Sequence, residues 1–531
     1  MKKFSALLFL LSFGLFFTSC EDDETISTED IDPPIEFTNG TADFSNYVAI
    51  GNSLTAGFSD NALFIDGQTA SYPNMLASNF ALVGGGEFNI PFMADNLGGA
   101  SFSGQPILGN RLFLAFTPNG PAPTPVSGIG TTEITNVLSG PFNNMGVPGA
   151  TSFQLLAPGF GNLQGVPVQQ ANPYFARFAS SATATVIGDA VAQSPSFFSL
   201  WIGNNDILGY ATSGGSGQDH NVTGNLDPAT YAGNDITNNN VFAGVYQTII
   251  DQMVATGASG GVVANIPNVT DIPFFTTVPF APLSPANPAF GPQIPTLNAN
   301  FAGLNQVFGL LGVPERSIVF SQTAASPVVV FDEDLPNLSA QITGALMQGG
   351  LDAGTAQVFG LLYGQARQAN ETDLLVLTSS SVIATLNEGA FNMLVGLGLP
   401  PETAGQLAVN GVTFPLEDQW VLTPEEQSAV ETAVISYNQT IAALASANNL
   451  ALVDANALLS DLINANGLPL ADGSVVTSVF ATGGGFSLDG VHPSPRGYAI
   501  LANAFTEAIN AQYGSNLPAM NPLDFTGLYI E

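Results

Sequence analysis

Short runs of consecutive apolar residues recur along the chain, each bounded by small or polar residues: YVAI at 47–50, FFSLWI at 197–202, GVVANI at 261–266, DLLVLT at 373–378 and LALVDA at 450–455. A strand with one wet face alternates apolar and polar positions, so runs without alternation predict strands covered on both faces, as in a parallel sheet. The run at 373–378 has no evident place in that sheet. Two longer stretches carry a helical period instead. In LTPEEQSAVETAVISYNQTIAALASANN, Thr423 stands as N-cap with Pro424 at N1 and Glu426 at N3, and Val430, Ala433, Val434, Tyr437, Ile441 and Leu444 share one face. SPRGYAILANAFTEAINAQYG opens on Ser494 and Pro495, aligns Tyr498, Leu501, Ala502, Phe505 and Ile509, and stops at Gly514. Strand and helix alternate, which makes the class α/β.

Two regions exceed what such a core needs. Residues 84–140 are rich in Gly, Asn and Pro, and residues 274–418 mix helical patches such as SVIATLNEGAFNMLVGLGL with Pro-rich loops. Both are expected as insertions into one domain spanning 45–515, followed by a C-terminal tail at 516–531. The second leaves the end of a core strand on the side where ligands of open α/β sheets bind. It is therefore expected either to form a lid with an apolar acyl groove or to pack as a satellite core or partner-docking surface. No repeat of solenoid or propeller period is present.

The N-terminus changes the picture. MKKFSALLFLLSFGLFFTSC pairs Lys2 and Lys3 with an apolar run too short for a membrane span, the pattern of an export signal over residues 1–19. FTSC resembles a bacterial lipobox, which implies a lipid on Cys20, the only cysteine, and a cell-envelope, outer-membrane location; the alternative is an ordinary signal peptide. Residues 20–44, acidic and carrying Pro33-Pro34, are expected as a tether. The acidic CEDDE after the cysteine fits either a surface-export signal or simply a solvated linker.

Removal of the signal takes both lysines and leaves five arginines against 42 acidic residues, a formal charge of −37. Nucleic acid is excluded as a natural partner by that charge. One cysteine allows no internal disulfide, and no Cys/His cluster exists for zinc, so no metal or other cofactor is expected.

Candidate chemistry concentrates at a serine. YVAIGNSLTAGF runs from a strand into a turn centred on Ser53, and a serine nucleophile needs a base. The only histidines are His220 and His492. His220 sits in GGSGQDHNVTGN and is expected as a solvated loop residue, with weak metal binding through Asp219 as the alternative. His492 follows Asp489 in SLDGVHPSPRGY, a spacing that lets the carboxylate reach imidazole Nδ1 and leaves Nε2 as the base. NNMGVPGATS and LWIGNNDILGYAT could supply donors for a developing oxyanion.

Taken in order, GNSL, GVPGATS, GNND and DGVHPS resemble the sequence blocks of the SGNH (GDSL-type) hydrolases. The resemblance implies a flavodoxin-like three-layer α/β/α sandwich and a serine esterase or acylhydrolase acting on lipid or glycan esters. It assigns Ser53 as nucleophile, His492 as base and Asp489 as its orienter, with the Ser53 N–H, Gly149 and Asn205 as oxyanion donors. The family's first-block aspartate is Asn52 here, and Thr55 stands where the G-x-S-x-G elbow needs its second glycine, which disfavours the α/β-hydrolase fold. The alternative from another class is a surface-binding lipoprotein that kept the fold and lost turnover.

Overall fold

The computed structural model describes residues 36–118, 120–464 and 466–530. Cys20 and the signal segment lie outside the described residues. Everything below belongs to the compact unit Phe37–Glu531.

Five strands form the central sheet: β1 (Tyr47–Gly51), β2 (Asn144–Gly146), β3 (Phe197–Trp201), β4 (Gly260–Ala264) and β5 (Ala451–Val453). They lie in the order β2-β1-β3-β4-β5, every neighbour parallel, the flavodoxin-like arrangement. All five residues of β1, β3 and β4 are buried, which is why their sequences do not alternate. Tyr47 and Ala49 face one layer while Val48 and Ile50 face the other.

Helices cover both faces. Those used below are, in chain order, α1 (Ser53–Ala56), α2 (Tyr72–Ala81), α3 (Asn205–Thr212), α4 (Asn239–Val254), α5 (Pro424–Ala447), α6 (Ala455–Ile463) and α7 (Pro495–Tyr513). One layer buries Phe242, Tyr246 and Ile250 of α4 with Val430, Val434 and Tyr437 of α5. The other buries Tyr72 and Phe80 of α2 with Tyr498, Phe505 and Ile509 of α7. At the start of α5, Glu426 accepts a hydrogen bond from the Thr423 N–H at 2.6 Å. Ser494 caps α7 by accepting from Gly497 N–H at 3.1 Å, and Gly514 ends it in the left-handed region.

Three features differ from the sequence expectation, and a fourth, left open there, is placed by the structure. The folded unit begins before Ser45: Ala42 and Phe44 are buried, Phe44 stacks on Phe80 at 4.0 Å, and the Thr41 N–H bonds to Tyr513 O, because two apolar residues after an acidic stretch suffice to dock it. The stretch expected as a C-terminal tail is also packed, with Leu517 buried and Tyr529 against Phe64. The segment at 373–378 stays out of the main sheet and contributes Leu374–Leu375, paired antiparallel to Val421–Leu422. Finally, β2 lies inside NNMGVPGATS, which carries no apolar run to mark a strand, since it is three residues long and begins on Asn144.

The first expected insertion falls between α2 and β2 and contains the hairpin of Leu112–Thr117 and Gly120–Pro125. The second falls between β4 and α5. It packs around its own core, in which Phe301, Phe308, Val330, Tyr363 and Leu416 are buried.

Candidate active site

The strand order reverses between β1 and β3, so the loops leaving their carboxyl ends part in opposite directions and open a crevice. Ser53 leaves β1 at this crevice, and Asn204 and Asn205 leave β3 beside it. The first turn after β1 is tight: a Cβ on Gly146 of β2 would lie 2.3 Å from Ala56 N, so only glycine lets α1 approach.

The geometry joins distant segments. Ser53 Oγ lies 2.9 Å from His492 Nε2, and His492 Nδ1 lies 2.9 Å from Asp489 Oδ2. Asp489 Oδ1 accepts from the N–H groups of Val491 and His492, each at 2.8 Å, while its Oδ2 also accepts from Asn61 N–H at 3.0 Å. Burial alone would push this carboxyl up, but the charge of His492 and the hydrogen bonds from His492 and Val491 outweigh it and bring it down to about 2. The carboxylate is thus ionised at neutral pH and favours the tautomer with the proton on Nδ1, leaving the Nε2 lone pair toward Ser53. The Phe58 ring sits 4.7 Å from the imidazole, and its carbonyl accepts from Tyr498 OH at 2.7 Å.

The expected oxyanion donors divide. Among the described residues the N–H groups of Ser53 and Gly149 have no protein acceptor. Gly149 has φ of +80°, a conformation that glycine adopts without strain, and follows β2 in a loop that Asn205 Nδ2 holds by donating to Ala150 O at 2.9 Å. One Asn205 amide hydrogen is used in that bond and the other remains for a ligand. Gly149 does not line the cavity beside Ser53, whereas Asn205 does. With Asn205→Ala, kcat for an ester should fall by about 10² to 10³ with KM little changed, as for loss of one oxyanion donor. A change confined to KM, measured by steady-state kinetics, would move Asn205 to substrate binding.

Three further residues support the site: Asn52, which the sequence marks as the first-block position, and Asp206 and Asp60, which escaped the sequence reading as functional groups. Asn52 Nδ2 donates to Asn204 Oδ1 at 3.2 Å while its own Oδ1 accepts from Leu54 N–H at 3.0 Å, so an amide at position 52 ties the β1 and β3 loops together. Asp206 accepts from the N–H and Oγ of Ser152 at 2.8 and 2.7 Å, pinning the loop that carries Gly149; burial pushes its carboxyl up to about 6. Asp60 accepts from Leu488 N–H at 3.0 Å and its own N–H donates to Ser487 Oγ at 3.0 Å, so it locks the loop before Asp489; burial, with some help from the Asp489 charge, pushes it up to about 6. The signal for Asp206 was its place in GNND. Nothing in the sequence marks Asp60, because Ser487 and Leu488, the partners that tie it to the site, lie more than 400 positions away.

His220 is not solvated. It is buried, with Nε2 2.9 Å from Asp235 Oδ2, Nδ1 3.0 Å from Thr223 Oγ1, and its ring stacked on Tyr231 at 3.8 Å. The polar loop folds back when Asp219 pairs with Ile236, and this closes over the ring.

Beside Ser53 and His492 lies a cavity of about 100 Å³ with a mostly apolar lining. Its walls are Leu54, Leu208 of α3, Val269 and Ile272 after β4, Leu458, Leu459 and Leu462 of α6, and Val491 and Ile500 around His492. No residue of 274–418 contributes, so the groove expected from that insertion is built instead by the loop after β4 and by α6. Most of the insertion's buried apolar residues pack in its own core, while Phe275 and Val376 join the core beneath the sheet.

No protein-family model matches the chain, and no curated protein matches it. Among solved structures, a chain from Parabacteroides merdae ATCC 43184, provisionally described as a GDSL-like lipase, is similar at 12% identity, covering 61% of this chain and 96% of its own. Its TM-score is 0.19, and that likeness carries no argument about fold or chemistry.

Proposed function

We propose that this chain is a serine ester hydrolase that works through an acyl-enzyme on Ser53. The observation that carries the reading is the unbroken hydrogen-bond line from Ser53 through His492 to Asp489, 2.9 Å at each step, at the carboxyl end of a parallel sheet. In this reading Ser53 Oγ attacks the ester carbonyl carbon as His492 Nε2 takes its proton. The Ser53 and Gly149 N–H groups and the Asn205 amide face the developing oxyanion. His492 returns the proton to the leaving alcohol, and water deprotonated by His492 then releases the acyl group. The resemblance of four sequence blocks to the SGNH hydrolases supports the same roles.

The apolar cavity favours an acyl chain over an acetyl group as the part bound beside the nucleophile. Each methylene taken from water in the transition state contributes about 0.8 kcal/mol, roughly fourfold in kcat/KM. Across p-nitrophenyl esters from acetate to octanoate, kcat/KM should therefore climb until the cavity is full. Activity that falls beyond the acetate would replace this reading with deacetylation, as of a glycan. Failure of a fluorophosphonate to label the chain at all would favour a binding protein without turnover.

A further inference from the structure

A second cluster of ionisable groups lies on other elements. Glu333 follows the short strand Val329–Phe331 of the second insertion, Asp418 opens the turn Asp418–Trp420 at the insertion's end, and Glu426 stands in the first turn of α5. One carboxylate oxygen from each lies within 4.8 Å of the others. Among the described residues no arginine or histidine forms an ion pair with any of them; the nearby Arg367 is taken by Asp332 and Asp373, each at 2.6 Å.

The buried member is not satisfied by protein. Glu426 is 4% exposed, and while its Oε2 caps Thr423, its Oε1 is buried without a hydrogen-bond partner. Asp418 Oδ1 is likewise buried and unpartnered. Space for Oε1 exists because residue 215 is glycine: a Cβ there would lie 2.0 Å from it. An unpaired buried carboxylate oxygen is costly, and three carboxylates converging without a cation are more so. Burial is the first cause that pushes both carboxyls upward; a side-chain hydrogen bond with Glu333 and the Glu333 charge add to it at Asp418, and the charges of Asp418 and Glu333 at Glu426.

We propose that Glu333, Asp418 and Glu426 bind a calcium ion that clasps the second insertion onto α5. The donor set is oxygen only, which selects hard cations, and donor atoms on opposite sides of a calcium ion bound at about 2.4 Å are separated by about 4.8 Å. The partly exposed side at Glu333 leaves room for the water ligands that complete a shell of six to eight. The ion does for this cluster what an arginine would do elsewhere, in a chain with few arginines to spare.

The test is calorimetric titration of the EDTA-stripped full chain with calcium chloride, alongside thermal unfolding with and without calcium. One saturable site per chain, filled by about 1 mM calcium, and a raised Tm are expected. Glu333→Gln, on the exposed side, keeps the buried groups in place and should weaken calcium binding about tenfold or more while leaving the circular dichroism spectrum unchanged; Asp418→Asn should abolish binding. Absence of heat and of a Tm shift at that concentration would overturn the proposal. So would equal binding by wild type and both variants, or stabilisation by mild acid in EDTA that calcium does not reproduce, which would mean that shared protons hold the cluster.

Discussion

Replacing Ser53 or His492 with alanine is expected to lower kcat for ester hydrolysis by roughly 10⁴ to 10⁶, and the double variant should be little worse than either single one. The reason is that Oγ and Nε2, 2.9 Å apart, perform one proton transfer together. A serine hydroxyl without its base is a poor nucleophile, and a base without the hydroxyl has nothing to activate. Neither change should unfold the chain, since Ser53 sits in a four-residue helix at the crevice and His492 in the loop before α7. Single-turnover kinetics on the three variants provide the measurement. Losses that add in free energy would mean that the two residues act in separate steps, and the proposed mechanism would fail.

Asp489→Asn should cost about 10⁴ in kcat while preserving much of the geometry. Asp489 accepts four contacts, from the imidazole Nδ1 and from the N–H groups of Val491, His492 and Asn61. An asparagine oxygen can keep some of the backbone bonds, but the amide can equally present an NH₂ to Nδ1. That stabilises the wrong tautomer, with the proton on Nε2 facing Ser53. The same substitution has a stability signature. The Asp489 carboxyl is held down to about 2, so its contribution is fully present above the unfolded value near 4 and is lost as pH falls through the folded one. The Tm gap between wild type and Asp489→Asn should therefore be constant at neutral pH and narrow between about pH 4 and pH 2. A gap that does not change over that range would mean that the carboxylate's charge has no part in holding the loop.

The sheet was legible where burial leaves a one-dimensional trace. Strands β1, β3 and β4 are covered on both faces and therefore stand out as apolar runs, as does β5 although its Leu452 is exposed, while α5 and α7 begin at the expected N-caps and α7 ends at Gly514. Strand β2 left no such trace: with Asn144 and Gly146 in three residues, its pairing with β1 supplies the order that its side chains do not. The apolar cavity beside Ser53 was misplaced for a related reason. Leucines at 458, 459 and 462 look like those of any amphipathic helix, and the Phe- and Val-rich insertion looks like a lid, because apolar residues do not say what they will be buried against.

What the sequence by itself determined is the class of fold and the short roster of groups able to do chemistry. Hydrophobic period follows from how many faces an element buries, which is a local property, and two histidines and five arginines in a chain of 531 residues leave few candidates. Tertiary structure alone decided which of them meet. Ser53 and His492 are 439 positions apart, Asp60 and Leu488 are 428 apart, and His220 turned inward onto Asp235 instead of facing water. Contacts at such separations depend on the register of a parallel sheet and on the direction in which its loops leave the strand ends, and neither is encoded within the few residues of any one motif.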